Sequence, residues 1–228
     1  MSGRSEAMAS DNSGRDLVSV AELAFDGDYK ITGYRVSTLC NLGAYNSQYG
    51  QPIQTELFAK VLTGPYDIPT AFLSVKGIYT NTTQVDAFRG AGRPEAIYVL
   101  ERAIDRAARE LGIDGWELRR KNFIAPDAFP YQTVTGALYD VGDFSNVLTS
   151  AERVADRRGF SVRKSNSQAN GRLRGLGHQG RLLGLPRGAA RRKRPRAAHR
   201  AHPQNPLPQG ERPRLGRVKE RAAPLEPR

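Results

Sequence analysis

The stretch DAFRGAGRPEAIYVLERAIDRAAREL, residues 86–111, joins a glycine-rich loop to the strongest helical pattern in the chain. Pro94 suits a first helical turn, and Gly112 suits a helix end. Apolar residues recur at helical spacing and form one stripe: Ile97, Leu100, Ile104, Ala107, Ala108 and Leu111. We therefore predict an amphipathic helix over residues 94–111, with the loop directly before its N-terminus.

The loop, residues 86–93, has features that suit an anion. Its glycines let the backbone approach a ligand closely, and the helix start offers free N–H groups. Arg89 and Arg93 add donors suited to phosphate or an oxyanion. The spacing matches neither the P-loop nor the dinucleotide-binding fingerprint. On these residues alone, a tight turn with solvated arginines remains the alternative interpretation.

Segments on both sides of this helix predict an α+β fold. Residues 17–25 and 31–39 have strand composition around an Asp-Gly-Asp turn at 26–28, which predicts a hairpin, and residues 71–80 predict a further strand. Short helices are expected over residues 56–62, after Asp114 and over residues 144–157. The last of these is predicted to be capped by Asp143, with inward-facing residues Val147, Leu148, Ala151 and Val154. Strands followed by helices without strict alternation are typical of α+β domains.

The charge of the chain divides it into two parts. Residues 171–228 hold 16 Lys and Arg against 3 Asp and Glu, whereas residues 1–170 are nearly neutral. The same tail has 8 of the 14 prolines and none of the 18 aromatic residues. Such a composition cannot bury enough apolar surface to offset its ordering entropy. We predict one domain over residues 1–170 and a disordered Arg/Pro/Gly-rich tail over residues 171–228.

A basic tail leaves nucleic-acid binding as an alternative function. Its arginines could neutralise phosphates, but it has no aromatic side chain to stack on bases and no recognisable nucleic-acid motif. We therefore do not expect a nucleic-acid partner.

The composition gives no sign of a disulfide, a metal site or a membrane span. The single cysteine, Cys40, cannot form an internal disulfide or hold a cysteine-ligated cluster, and we predict that it is a small buried residue. The three histidines all lie in the tail, and we predict no metal ligand in this chain. No run of 18 apolar residues or signal-peptide core occurs, so we expect a cytoplasmic protein without a membrane partner.

Several motifs resemble those of one family in the same order. DAFRGAGRPEA is similar to the loop that lies against the molybdenum centre in molybdenum hydroxylase large subunits, the family of xanthine dehydrogenase, aldehyde oxidase and carbon monoxide dehydrogenase large chains. RSEAMASDNSGRD at 4–16 resembles the segment of that family that ends in Gly-Arg-Asp. NLGAY at 41–45, YDIPT at 66–70 and ELGIDGWELRRKNFI at 110–124 also match, and NGRLRGLG at 170–177 resembles the family's next strand. The resemblance covers roughly residues 3–177.

The resemblance implies part of a molybdopterin-binding domain. It implies hydroxylation of a carbon centre in a small-molecule substrate, with water as the oxygen source. The implied cofactor is molybdenum–molybdopterin cytosine dinucleotide in the full-length subunit, with electrons leaving through an iron–sulfur small subunit and an FAD medium subunit. The implied cofactor-binding residues are Phe88, Arg89, Gly90, Ala91, Gly92 and Arg93.

The sequence departs from the family in ways that limit this expectation. True carbon monoxide dehydrogenases place a copper-binding cysteine in the loop, where this chain has Gly90. Purine-oxidising members have an arginine where this chain has Leu57. The family's catalytic glutamate and its cofactor-binding glycine-rich loop lie outside the matching region, so we expect no catalytic residue here and an inactive isolated chain. Glu95 and Glu101 are interpreted as ordinary surface residues, with Glu95 complementing the helix dipole. Arg119, Arg120 and Lys121 are interpreted as a solvated helix face or a subunit contact.

The match to the family ends abruptly after Gly177. An excess of Arg, Pro, Ala, Gly and Leu is typical of a GC-rich gene translated out of frame, and the tail has this excess. We interpret the tail as the product of a frameshift or a sequencing error.

Overall fold

The computed structural model describes residues 2–177 and 220–221. Seven α-helical segments occur in that part of the chain: α1 (Arg4–Ser10), α2 (Gly50–Pro52), α3 (Phe58–Lys60), α4 (Arg93–Leu111), α5 (Gly115–Asn122), α6 (Phe144–Val154) and α7 (Phe160–Ala169). The strands are β1 (Leu17–Phe25), β2 (Ile31–Gly43), β3 (Ala71–Tyr79), β4 (Tyr131–Gln132), β5 (Leu138–Tyr139) and β6 (Glu220–Arg221). This mixture of helices and strands confirms the predicted α+β class.

The main sheet has the strand order β3-β2-β1-β6. β1 and β2 form the predicted antiparallel hairpin, and the carboxylate of Asp26 stabilises its turn by accepting from the backbone N–H groups of Asp28 (2.9 Å) and Lys30 (2.8 Å). β3 pairs in parallel with β2, which the sequence did not indicate. A parallel neighbour needs a crossover connection, and the helical segment between Gly50 and Lys60 lies in that connection.

That helical segment begins earlier than predicted. α2 and α3 are joined by a π-helical stretch, Ile53–Leu57, so the helical run starts at Gly50 and ends at Lys60. The sequence predicted helix only over residues 56–62. Pro52 is tolerated in a first helical turn, but that turn has no apolar periodicity. The sequence therefore did not indicate where the helical run starts.

The core lies between the sheet and α4. Alternate residues of β1 and β2 point to it, including Leu23 and Val36, and the predicted apolar stripe of α4 packs on them through Leu100 and Ile104. α4 begins at the loop, one residue before the prediction, and ends at Gly112 in a left-handed conformation (φ 67°). The helix therefore holds its N-terminus, and the loop before it, at one edge of the core.

A buried ion-pair network joins α4 to α5. The guanidinium of Arg119 is 1% exposed, and it donates from Nε to Glu101 Oε2 (2.8 Å) and from Nη2 to Asp105 Oδ1 (2.7 Å). Tyr66 donates its hydroxyl to Glu101 Oε1 (2.8 Å). The expectation that Glu101 is a surface residue was wrong, as was the interpretation of Arg119 as part of a solvated helix face. A buried charge is stable where it is paired, and the pairing partners lie on another helix.

The chain after α5 differs from the prediction in four places. α6 is capped by Asp143 as expected, whose Oδ1 accepts from Asn146 N (2.9 Å), but it ends at Val154 rather than near residue 157. Of its expected inward residues, only Leu148 is buried, while Val147 and Val154 are 61% and 84% exposed. α7 was not predicted, and residues 172–177, expected to resemble a strand, have no regular secondary structure.

The predicted tail falls almost entirely outside the described residues. Within it, residues 171–177 and the two residues of β6 are described, and β6 pairs antiparallel with β1. No helix in residues 2–177 is long and apolar enough to cross a membrane.

Candidate functional site

The candidate site is the loop at residues 86–92, which lies between the sheet and the N-terminus of α4. The backbone before it is held on two sides. Val85 N donates to Leu42 O (3.2 Å) at the end of β2, and Asp86 N donates to Ser13 O (3.0 Å). Ser13 and Val85 form a parallel bridge, so the segment before β1 runs beside the loop. The loop is therefore attached to the sheet at its start and to the helix at its end.

Three consecutive residues of the loop have a left-handed backbone. Gly90, Ala91 and Gly92 have φ values of 114°, 37° and 81°. At Gly92 a Cβ atom would lie 2.5 Å from the carbonyl carbon of Leu57, so the loop passes directly against the helical segment of the crossover. A side chain at this position would meet both a strained backbone and a rigid neighbour. The glycines that the sequence singled out are therefore required by the loop's geometry.

The loop offers hydrogen-bond donors that the described part of the chain leaves free. Within residues 2–177, the backbone N–H groups of Phe88, Arg89 and Gly90 have no acceptor. The side chains of Arg89 and Arg93 are exposed and make no ion pair with any residue of that range. Free N–H groups, two arginines and a helix N-terminus together give positive potential suited to phosphate or an oxyanion.

Arg15 is a site residue that the sequence reasoning missed. Its guanidinium carbon lies 4.6 Å from the centre of the Phe88 ring, and its Nη2 donates to the carbonyl oxygen of Arg89. Its Nε lies 3.6 Å from Glu95 Oε1 in the first turn of α4. The Gly-Arg-Asp string marked a family resemblance, but nothing in the sequence placed it against a loop some 70 residues further along the chain.

Glu95 is buried, which corrects the expectation that it lies on the surface. Its side chain is 4% exposed, and Oε2 has no hydrogen-bond partner among the described residues. Its place in the first turn of α4 agrees with the expected interaction with the helix dipole. Glu95 and Arg15 also line a cavity of about 320 Å³ between β1 and α4, beside the loop.

Cys40 is the small buried residue that the sequence predicted. Burial in β2, together with the charges of Glu95 and Asp16, raises the pKa of its thiol to about 12. The protonated thiol is a poor metal ligand and a poor nucleophile at neutral pH. Within the described residues, no group of three or more His, Cys, Asp or Glu side chains could hold a metal ion.

Comparisons with known proteins identify what the loop and its surroundings are similar to. The family profile described as the molybdopterin cofactor-binding domain matches residues 1–123. The carbon monoxide dehydrogenase large chain of Afipia carboxidovorans is 33% identical over 184 residues, which are 80% of this chain and 22% of that protein. The 6-hydroxypseudooxynicotine dehydrogenase complex subunit gamma of Paenarthrobacter nicotinovorans is 30% identical, over 76% of this chain and 22% of that protein.

A solved structure agrees with the sequence relatives. Quinoline 2-oxidoreductase from Pseudomonas putida 86 superposes with a TM-score of 0.68 and 27% identity, over 75% of this chain and 22% of that one. The chain thus spans about a fifth of the length of the proteins that it matches. It belongs to the molybdopterin cofactor-binding family of molybdenum hydroxylase large subunits.

Proposed function

We propose that this chain supplies the loop that lies against the molybdenum cofactor in a large subunit that hydroxylates a carbon centre of a small molecule. The oxygen would come from water, and the electrons would leave through an iron–sulfur small subunit and an FAD medium subunit in the cytoplasm. The observation that carries the proposal is the loop at residues 86–92, with its left-handed backbone and unpaired N–H groups, together with the free arginines Arg89 in the loop and Arg93 directly after it.

The residues present fit such a cofactor. Molybdopterin cytosine dinucleotide, the form that we propose, carries anionic phosphates, and the metal centre carries oxygen ligands. The N–H groups of Phe88, Arg89 and Gly90 have no competing acceptor in residues 2–177, so they are available to oxygen atoms of either part. Bound cofactor supplies the two-electron oxidation of the substrate carbon.

The two arginines have different proposed roles. Arg89 would lie next to the metal centre, where a fixed cation and backbone N–H groups stabilise negative charge that develops during reaction. Arg93 is the first residue of α4 and precedes Pro94, so it would bind a cofactor phosphate at the helix N-terminus. Gly90, Ala91 and Gly92 would shape the backbone that presents these donors.

Two positions narrow the proposed substrate. Gly90 stands where the resemblance places a copper-binding cysteine in carbon monoxide dehydrogenases, and the pKa of Cys40 keeps its thiol protonated. Leu57 stands where purine-oxidising relatives have an arginine, and it lies in the π-helical stretch beside Gly92. We therefore propose an aldehyde or a non-purine N-heterocycle as substrate, rather than carbon monoxide or a purine such as xanthine.

The catalytic base is proposed to lie elsewhere in the full-length subunit. Glu95, a buried carboxylate beside the loop, already faces Arg15 from the first turn of α4. Nucleic-acid binding is not proposed, because it depends on a tail that lies almost entirely outside the described residues, and the relatives above are named as oxidoreductases.

Cofactor retention tests the proposal. In a full-length subunit that contains this segment, Arg93→Ala should retain the cofactor about tenfold more weakly, because it removes a charge-assisted hydrogen bond. Molybdenum and pterin content of the purified protein measure this. Arg109→Ala, an exposed arginine at the other end of α4, is the matched control and should keep full content. Equal content in both variants would contradict the proposed phosphate contact.

A further inference from the structure

Arg15 lies in a segment that backbone hydrogen bonds hold on both sides of it. Ser13 N donates to Gln84 O (3.1 Å) before it, and Asp16 O accepts from Asn41 N (2.9 Å) after it. Arg15 itself has a left-handed backbone, with φ 61°. Such a conformation in a residue with a side chain persists only where the surroundings determine it. The backbone therefore aims the Arg15 side chain in one direction, across the loop.

The directional contacts of the guanidinium are made with the loop. It stacks on Phe88 and donates to the carbonyl oxygen of Arg89. At Gly90, a Cβ atom would lie 3.2 Å from Arg15 Nη2, so the guanidinium also follows the backbone at the next residue. One planar group thus spans three consecutive loop residues, the last of which, Gly90, begins the left-handed turn.

The contact with Glu95 is weaker in geometry. The Arg15 Nε to Glu95 Oε1 distance of 3.6 Å is too long for a hydrogen bond, and neither Arg15 Nε nor Glu95 Oε2 has a hydrogen-bond partner among the described residues. The pair contributes a Coulomb attraction across a partly buried gap. Charge balance for Glu95 therefore explains part of the role of Arg15, but not its stacking or its donation to the loop.

We propose that Arg15 is a positioning residue for the loop at residues 88–92. By holding the Phe88 ring and the Arg89 carbonyl group, it fixes the peptide plane between Arg89 and Gly90 and so aims the Gly90 N–H. A lysine would keep the positive charge near Glu95, but it has no planar group to stack on the ring while it donates to the carbonyl. The consequence for cofactor binding rests on the proposed function, whereas the effect on the loop does not.

Limited digestion of the 228-residue chain with trypsin isolates this effect. Trypsin can cut the loop at the Arg89–Gly90 bond, while the Arg93–Pro94 bond resists because proline follows. The Arg106–Ala107 bond within α4 reports on unfolding of the helix. When opening and closing are fast, the rate at each bond follows the population of its open form, so mass spectrometry of the fragments separates loop from helix.

Arg15→Lys should raise the cleavage rate at Arg89–Gly90 about tenfold, because the variant loses a partly buried cation–π contact and a hydrogen bond. The rate at Arg106–Ala107 should stay within twofold of wild type. Glu95→Gln is the matched variant, because it removes the ion pair and leaves the loop contacts in place. It should leave the Arg89–Gly90 rate within twofold.

Three results would contradict the positioning role. In these, Arg15→Lys leaves the Arg89–Gly90 cleavage rate unchanged, raises the cleavage rates at both bonds equally, or has the same effect as Glu95→Gln. The last result would make Arg15 only a counter-ion for Glu95. Molybdenum content of a full-length Arg15→Lys subunit then separates the two proposals. A loosened loop with unchanged cofactor content and unchanged turnover would refute the proposed function and leave the positioning role of Arg15 in place.

Discussion

At the residue scale, the site depends on a few positions whose backbone conformation excludes most side chains. The sequence indicated the glycines of the loop, because glycine clusters before a helix have few structural uses. It did not indicate Arg15, and it assigned Glu95 to the surface. Both failures have the same physical cause. Burial of a charged side chain depends on a partner brought close by tertiary structure, and local sequence carries no record of that partner.

Gly92→Ala should lower the free energy of unfolding by about 2–4 kcal/mol, from left-handed strain together with a clash against the backbone at Leu57. Gly112→Ala is the matched control, because Gly112 also has a left-handed backbone but a Cβ atom there would meet nothing within 4 Å. It should cost only about 1–2 kcal/mol. Urea denaturation of both variants measures the difference, and equal losses would show that the loop does not press on its neighbour.

At the element scale, the hairpin and α4 were predictable because their signals are local. A turn motif between two β-rich runs defines the hairpin, and six apolar residues at helical spacing define the helix. The parallel pairing of β3 was not predictable, because it depends on where the crossover returns. α6 was misjudged because apolar periodicity indicates a face, while the structure buries only Leu148 of the expected set.

The buried ion-pair network between α4 and α5 can be tested by substitution. Arg119→Ala should destabilise the chain by about 3–5 kcal/mol, because it leaves the carboxylate of Glu101 buried without its cation. Arg106→Ala, which breaks an exposed pair with Glu110 within α4, should cost no more than about 1 kcal/mol. Thermal or urea unfolding of both variants measures how much stability each one loses. A small loss for Arg119→Ala would mean that the network contributes little to holding the two helices together.

Adding Glu101→Gln to Arg119→Ala should recover part of the loss, because the buried carboxylate is then removed as well. A double variant less stable than Arg119→Ala alone would contradict this explanation and place the effect in packing instead.

At the scale of the whole molecule, the chain matches one segment of much longer relatives. Motifs spread over roughly residues 3–177 predicted the family, because several weak matches in one order are more specific than any single one, and the family is confirmed. The chain corresponds to only 22% of the carbon monoxide dehydrogenase large chain that it matches. The interpretation of the tail as a frameshift product stays a prediction.

The purified 228-residue chain should hold less than stoichiometric molybdenum and show no hydroxylase activity. The reason is that a loop alone supplies one wall of a cofactor site, and the catalytic base is proposed to lie outside this chain. Metal analysis and substrate-dependent dye reduction with aldehydes and N-heterocycles measure both properties. Turnover by this chain alone at a rate typical of enzymes would contradict the proposal.

The central claim is that the loop lies against the molybdenum centre, and the most direct test compares its two free arginines. Turnover per bound molybdenum should be measured in a full-length subunit with Arg89→Ala or Arg93→Ala, so that lost cofactor is not counted as lost chemistry. Arg89→Ala should lower turnover about 10²–10³-fold, the typical effect of removing one preorganised donor near developing charge, while Arg93→Ala should stay near wild type per molybdenum. Wild-type turnover per molybdenum in both variants would show that the loop is only a tight turn, and a slower Arg93→Ala enzyme would reverse the two roles.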